Sequence, residues 1–85
     1  MIQERHILVW NNCLNFIRQN IDLKQFELWF KPIKPVSLVE STLTVEVPSE
    51  FFREYVEGAY LEILKASLKK ELGVAAKLVY VVTPV

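Results

Sequence analysis

The chain has 85 residues, 52% of them hydrophobic, and its ten acidic side chains balance ten basic ones. That describes one domain, residues 1–85, with a core of modest size, and a zero net charge leaves no global field to draw it to nucleic acid or to a membrane. The single cysteine excludes an internal disulfide, no apolar run reaches the roughly 20 residues that span a bilayer, and the start, MIQERHILVW, lacks the parts of a signal peptide, so a cytoplasmic protein is predicted.

The first predicted helix runs from about Gln3 to Asn20. Ile7, Trp10, Leu14, Ile17 and Ile21 fall on one stripe at helical spacing, and Val9, Cys13 and Phe16 form a second strip beside it. Together they cover about half the circumference, wider than the roughly 100° that a surface helix usually buries. Either the fold wraps around this helix or another surface docks on it. Asp22 reads as the N-cap of a short second helix over Leu23–Phe30, with Gln25 completing a capping-box pattern. Phe26 and Phe30 share one face of it, and Pro32 and Pro35 stop it.

Ile33 to Val39 reads as extended and Glu40-Ser41-Thr42 as a turn. Leu43, Val45 and Val47 then alternate with Thr42, Thr44 and Glu46, the period of a half-buried strand, which Pro48 ends. Ser49 is the expected N-cap of a long helix to Leu72, closed by Gly73. Its apolar positions form two stripes, Phe52–Val56–Ala59–Ile63 and Leu61–Leu64–Leu68–Leu72, rotated against each other, so a kink is expected near Gly58. Lys77 to Val82, KLVYVV, is a third strand. The order is ααββαβ: an α+β fold, with a three-stranded sheet covered by helices on one face.

A catalytic constellation is missing. His6 stands without a second histidine and reads as a solvated helix residue, and Cys13 has no partner for a metal or a dyad. Two glycines build no phosphate-cradling loop. Glu54 and Glu57 read as a solvated helix face. No enzyme, metal site or cofactor site is therefore expected, and a binding module remains. The element order is shared with K-homology folds that bind single-stranded nucleic acid. Those clamp the backbone with a GxxG loop, which is absent here. At most a weak single-stranded DNA contact is expected on these grounds.

Four segments form an ordered series: Trp10-x-x-Cys13-Leu14, Phe26-x-x-Trp29-Phe30-x-Pro32-Ile33, Leu43-x-Val45-x-Val47-Pro48-x-x-Phe51, and Tyr60-x-x-Ile63. The series resembles the N-terminal domain family of DnaA, the bacterial chromosomal replication initiator, over nearly the whole chain. The resemblance implies a K-homology-like three-stranded fold and a non-enzymatic interaction domain that brings initiators together and recruits the replicative helicase, DnaB. It also implies that the AAA+ domain, where ATP would bind, and the origin-binding domain lie outside these 85 residues. By the same resemblance Val9, Trp10 and Cys13 carry self-association, and Gln25 and Phe51 carry the contact to the helicase or to a regulatory protein. Both contact residues are expected at the surface, since Phe51 falls off the Phe52–Val56–Ala59 stripe. The family's residue at Gln25 is acidic in its best-known members, so this chain departs there, with Asp22 and Glu27 as the acidic side chains nearby.

Overall fold

A computed structural model describes residues 4–83. The elements are α1 (Arg5–Arg18), α2 (Leu23–Trp29), β1 (Lys34–Val39), β2 (Thr42–Val47), α3 (Glu50–Leu72) and β3 (Lys77–Val82), which is the expected α+β order. Gln3, the expected start of the first helix, lies outside the described residues, and α1 ends at Arg18 rather than Asn20.

Local chemistry sets most of the boundaries. The Asp22 carboxylate accepts from the backbone N–H groups of Lys24 at 3.1 Å and Gln25 at 3.4 Å, holding two of the donors that a helix start leaves without partners. Ser49 Oγ accepts from the Phe52 N–H at 3.0 Å and does the same for α3. Gly73, with φ of 89°, closes α3 in a conformation that side chains disfavour, and its N–H donates to the Lys69 carbonyl at 2.8 Å.

β1 and β2 pair antiparallel, with Val39 opposite Thr42, so the hairpin loop is Glu40-Ser41. The register shifts between Pro35 and Ser37, a β-bulge in β1. β3 joins the other side of β2 in parallel, from Thr42 opposite Lys77 to Val47 opposite Val82, and α3 is the crossover that this requires. Leu43, Val45 and Val47 are buried while Thr42, Thr44 and Glu46 are half-buried, as the alternation predicts. α1 and α3 cover the buried face, and Val79 and Val81 of β3 remain exposed.

The kink in α3 falls at Tyr60 (φ −125°, ψ 20°), two residues beyond Gly58. Glycine permits a break, but the contacts of Tyr60 place it. Its ring packs edge-on against Phe30 at 5.2 Å, and its hydroxyl donates to Gln25 Oε1 at 3.2 Å. The break resets the inward face: Val56 is buried before it, Leu64 and Leu68 after it. Ala59 and Leu61, expected on the two inward stripes, are exposed. Among the described residues no helix is long and apolar enough to cross a membrane.

Candidate functional site

The trio singled out on α1 lies in the core. Val9 is 8% exposed, Trp10 1% and Cys13 0%, in one buried cluster with Ile17. Ile7, expected to lead the inward stripe, is 38% exposed, and Leu8 is 61% exposed. The inward seam is thus Val9–Trp10–Cys13–Ile17, a step around the helix from the stripe drawn through Ile7 and Leu14. α1 packs against α3, β1 and α2, so its apolar face is wide because three elements surround it. The Trp10 indole Nε1 is buried and finds no hydrogen-bond partner among the described residues. Such a lost bond costs about 1–3 kcal/mol, a cost that burial of the large ring opposes. Burial also pushes the Cys13 thiol up to about 11, against a weaker opposing effect of its hydrogen bond with Ser67, so it is no nucleophile near neutral pH. His6, expected to be solvated, is half-buried.

A second region is built where α2 runs against the first half of α3. The Trp29 ring stacks on Tyr55 at 4.0 Å and tilts against Phe52 at 5.1 Å, while Gln25, one turn earlier on α2, meets Tyr60. The two helices are therefore antiparallel along this seam. Phe51, in the first turn of α3, is 72% exposed, as its off-stripe position predicts. Tyr55, one turn along, and Leu28 on α2 are exposed as well. Neither was singled out from the sequence, although Leu28 lies off the Phe26–Phe30 face, which was the available signal.

Gln25 is not the freely exposed residue expected. It is half-buried, and its amide oxygen is taken by Tyr60 rather than its side chain returning to the Asp22 N–H as a full capping box requires. Phe51 and Tyr60 are nine positions apart, so Gln25 and Phe51 mark opposite ends of the seam, roughly 13 Å apart along α3. The acidic side chains beside Gln25 are at the surface: Asp22 caps α2, and Glu27 lies 4.0 Å from Lys31. Arg53 binds Glu50 through two hydrogen bonds, at 2.9 and 3.0 Å, and also holds Glu57. Glu57 is thus half-buried and paired, not merely solvated, whereas Glu54 is exposed. The arrangement offers apolar and aromatic surface rimmed by charge, which suits docking of another protein. Among the described residues no three His, Cys, Asp or Glu side chains gather as metal ligands.

Residues 8–70 match the profile of the DnaA N-terminal domain. The chain is 50% identical over 72 residues to the chromosomal replication initiator protein DnaA of Flavobacterium psychrophilum, a match covering 85% of this chain and 15% of the relative. It is 38% identical over 80 residues to the same protein of Bacteroides thetaiotaomicron, covering 94% and 17%. The chain thus spans less than a fifth of the length of these curated relatives. Among solved structures, the fold matches a chain in the crystal structure of a HobA–DnaA (domain I–II) complex from Helicobacter pylori, with a TM-score of 0.72 at 18% identity, covering 87% of this chain and 96% of that one.

Proposed function

The chain belongs to the DnaA N-terminal domain family, and from that premise we propose that it is the N-terminal interaction domain of a cytoplasmic chromosomal replication initiator, working by binding and not by catalysis. Its task is to bring initiators together at the origin and to hold the replicative helicase, DnaB, for loading. ATP binding and origin recognition belong to other parts of such an initiator, and this domain takes no cofactor.

The observation that carries the reading is Phe51. A phenylalanine 72% exposed on the first turn of a capped helix, beside the Tyr55–Trp29 stack, is poorly explained by folding alone. Exposed aromatics of this kind often dominate interface energy. The helicase contact runs along the α2–α3 seam, anchored by Phe51, with Asp22 and Glu27 supplying the charge that Gln25 lacks. A regulatory protein uses the same surface; the related DnaA domain in the Helicobacter pylori structure is itself bound to a protein, HobA.

Self-association is assigned to α1, but with Val9, Trp10 and Cys13 acting as the anchor that sets the helix in place. The side chains that meet a second copy are the exposed Ile7 and Leu8 of the same helix. One helix face is a small contact, so the pairing is weak. Sedimentation tests it: Leu8→Glu should remove concentration-dependent association while leaving the fold intact. Pull-down with the cognate DnaB tests the other surface. Phe51→Ala combined with Gln25→Ala should lose most binding, and wild-type retention by that folded double variant would eliminate the seam. Steeply salt-dependent binding to short single strands, with no helicase capture, would instead favour a K-homology-type nucleic-acid role.

A further inference from the structure

The two edges of the sheet are guarded differently. On β1 the outer edge carries Pro35 and a register shift, both of which discourage another strand from pairing. β3 has neither. Its register along β2 is regular from Lys77 to Val82, and residues 78–82 contain no proline and no charge. The Lys77 N–H donates to the Ser41 carbonyl at 2.9 Å and the Thr83 N–H to the Val47 carbonyl at 2.9 Å. Backbone groups alternate sides along a strand, so Lys77, Val79, Val81 and Thr83 face β2. The N–H and C=O groups of Leu78, Tyr80 and Val82 therefore point away from the sheet, along its open edge.

Beside that edge lies a groove of about 290 Å³ between α3 and β3. Leu61, Leu64 and Leu68 line one wall and Leu78 and Tyr80 the other. No β2 residue lines it, so the groove opens toward the free side of β3. Lys65 and Lys69 stand on its α3 wall, and neither makes an ion pair among the described residues. The acidic residue of the wall, Glu57, is already held by Arg53. The groove thus presents apolar surface and unneutralised positive charge.

We propose that this edge binds an extended acidic segment of a partner protein, which adds to the sheet as a fourth strand on β3. The spacing favours such a segment. Leu61, Lys65 and Lys69 succeed one another by one helical turn, about 6 Å, and alternate residues of a strand lie about 6.8 Å apart. A segment with one apolar and two acidic residues at every second position therefore sets each side chain against its counterpart on α3. The main-chain groups of Leu78, Tyr80 and Val82 supply the affinity that does not depend on sequence, and the two lysines supply the selection. This surface lies apart from the α2–α3 seam, and the proposal stands independently of the helicase reading.

The test uses two capped hexapeptides, Val-Thr-Glu-Thr-Glu-Thr and its reverse Thr-Glu-Thr-Glu-Thr-Val, with versions carrying lysine for glutamate. Amide shifts and hydrogen exchange of the labelled chain are the readout. One acidic peptide should slow exchange at Leu78, Tyr80 and Val82, and the lysine versions should not. Lys65→Gln with Lys69→Gln, both on exposed positions, should weaken binding about tenfold or more in a chain that stays folded, with only a small fall in melting temperature because Lys69 sits in the last turn of α3. Val82→Pro replaces an N–H that β2 does not use and should abolish binding in a folded chain. Equal binding of acidic and basic peptides, or no slowing of exchange at millimolar peptide, overturns the proposal. Slowing that rises with protein concentration alone also overturns it, because the edge then belongs to a second copy of this chain.

Discussion

Trp10 on α1 and Phe51 on α3 are both aromatic residues in helices, and both stand in segments by which the family is recognised. One is 1% exposed and the other 72%. The difference comes from what surrounds each helix. α1 is enclosed by α3, β1 and α2, so even a wide apolar face is consumed by the core. The first turn of α3 is met on one side by Trp29, which takes Phe52 and Tyr55 and leaves Phe51 outside. Periodicity reports which faces are apolar. It does not report how many neighbours the fold will bring to them.

The contrast is broken most severely at Trp10. Trp10→Ala removes a fully enclosed ring, and substitutions of this kind cost about 3–5 kcal/mol. That is a large part of what a small domain has. Chemical denaturation should show the midpoint collapsing, and a loss below 1 kcal/mol would mean the ring is not core. For the proposed pairing the consequence is practical: a loss of association in this variant would report unfolding, which is why Leu8→Glu is the informative change.

Cys13 sharpens the same side of the comparison through pH. Its thiol is raised from 9.0 to about 11 by burial, so the fold favours the neutral form. The sign follows directly. The thiol's contribution is fully present below pH 9, where it is protonated folded or unfolded, and it is lost as pH rises from 9 toward 11, because only the unfolded chain then ionises freely. Thermal melts of the wild type should fall over that range, and Cys13→Ala should flatten that part of the fall. An unchanged slope in the variant would assign the loss to other groups, with Tyr80, raised to about 12 chiefly by burial, the first candidate.

Much of the fold could be read from local signals. Asp22 and Ser49 cap their helices as expected, Gly73 closes α3, and the Leu43–Val45–Val47 alternation becomes the buried side of β2. Each of these depends on residues a few positions apart. What escaped depends on residues far apart. Tyr60 lies 35 positions from Gln25, and their hydrogen bond links the half-buried Gln25 to the residue at which α3 kinks, beyond Gly58. The two stripes drawn either side of a kink near Gly58 put Ala59 and Leu61 inward, but the break falls at Tyr60, between them, and both face outward. The exposure of Phe51 was legible because it needs only the local stripe. The exposure of Ile7 on α1 was not, because it depends on where α3 and β1 arrive.

Tyr60→Phe tests that long-range link with a smaller effect. It keeps the ring against Phe30 and removes only the hydroxyl that donates to Gln25 at 3.2 Å. Gln25 is half-buried, so water can reach the abandoned oxygen, and the loss should be about 0.5–1 kcal/mol. Gln25→Ala should cost a similar amount, and the double variant should cost less than the sum of the two, since the shared bond is counted once. Strict additivity in that cycle would show that the hydrogen bond contributes nothing to holding α2 on α3.

The smallest effect on stability is expected at Phe51, and that smallness is what makes it informative. The side chain is 72% exposed, so truncation opens no cavity and leaves no buried polar group without a partner. The backbone of this turn is held by Ser49, whose hydroxyl accepts from the next residue, Phe52, and Phe51→Ala leaves that cap untouched. Alanine also has a better helix propensity than phenylalanine, by a few tenths of a kcal/mol, which offsets the lost contact with neighbouring side chains. The melting temperature should therefore stay close to wild type, within about 0.5 kcal/mol of stability. Capture of DnaB should nonetheless fall by a factor of ten or more, because an aromatic anchor at an interface is commonly worth about 2 kcal/mol or more. A folded Phe51→Ala domain that binds the helicase normally would leave Phe51 as an exposed residue without a docking role. A destabilised one would place it among the contacts that hold α3, and the difference between the two helices would then be one of degree.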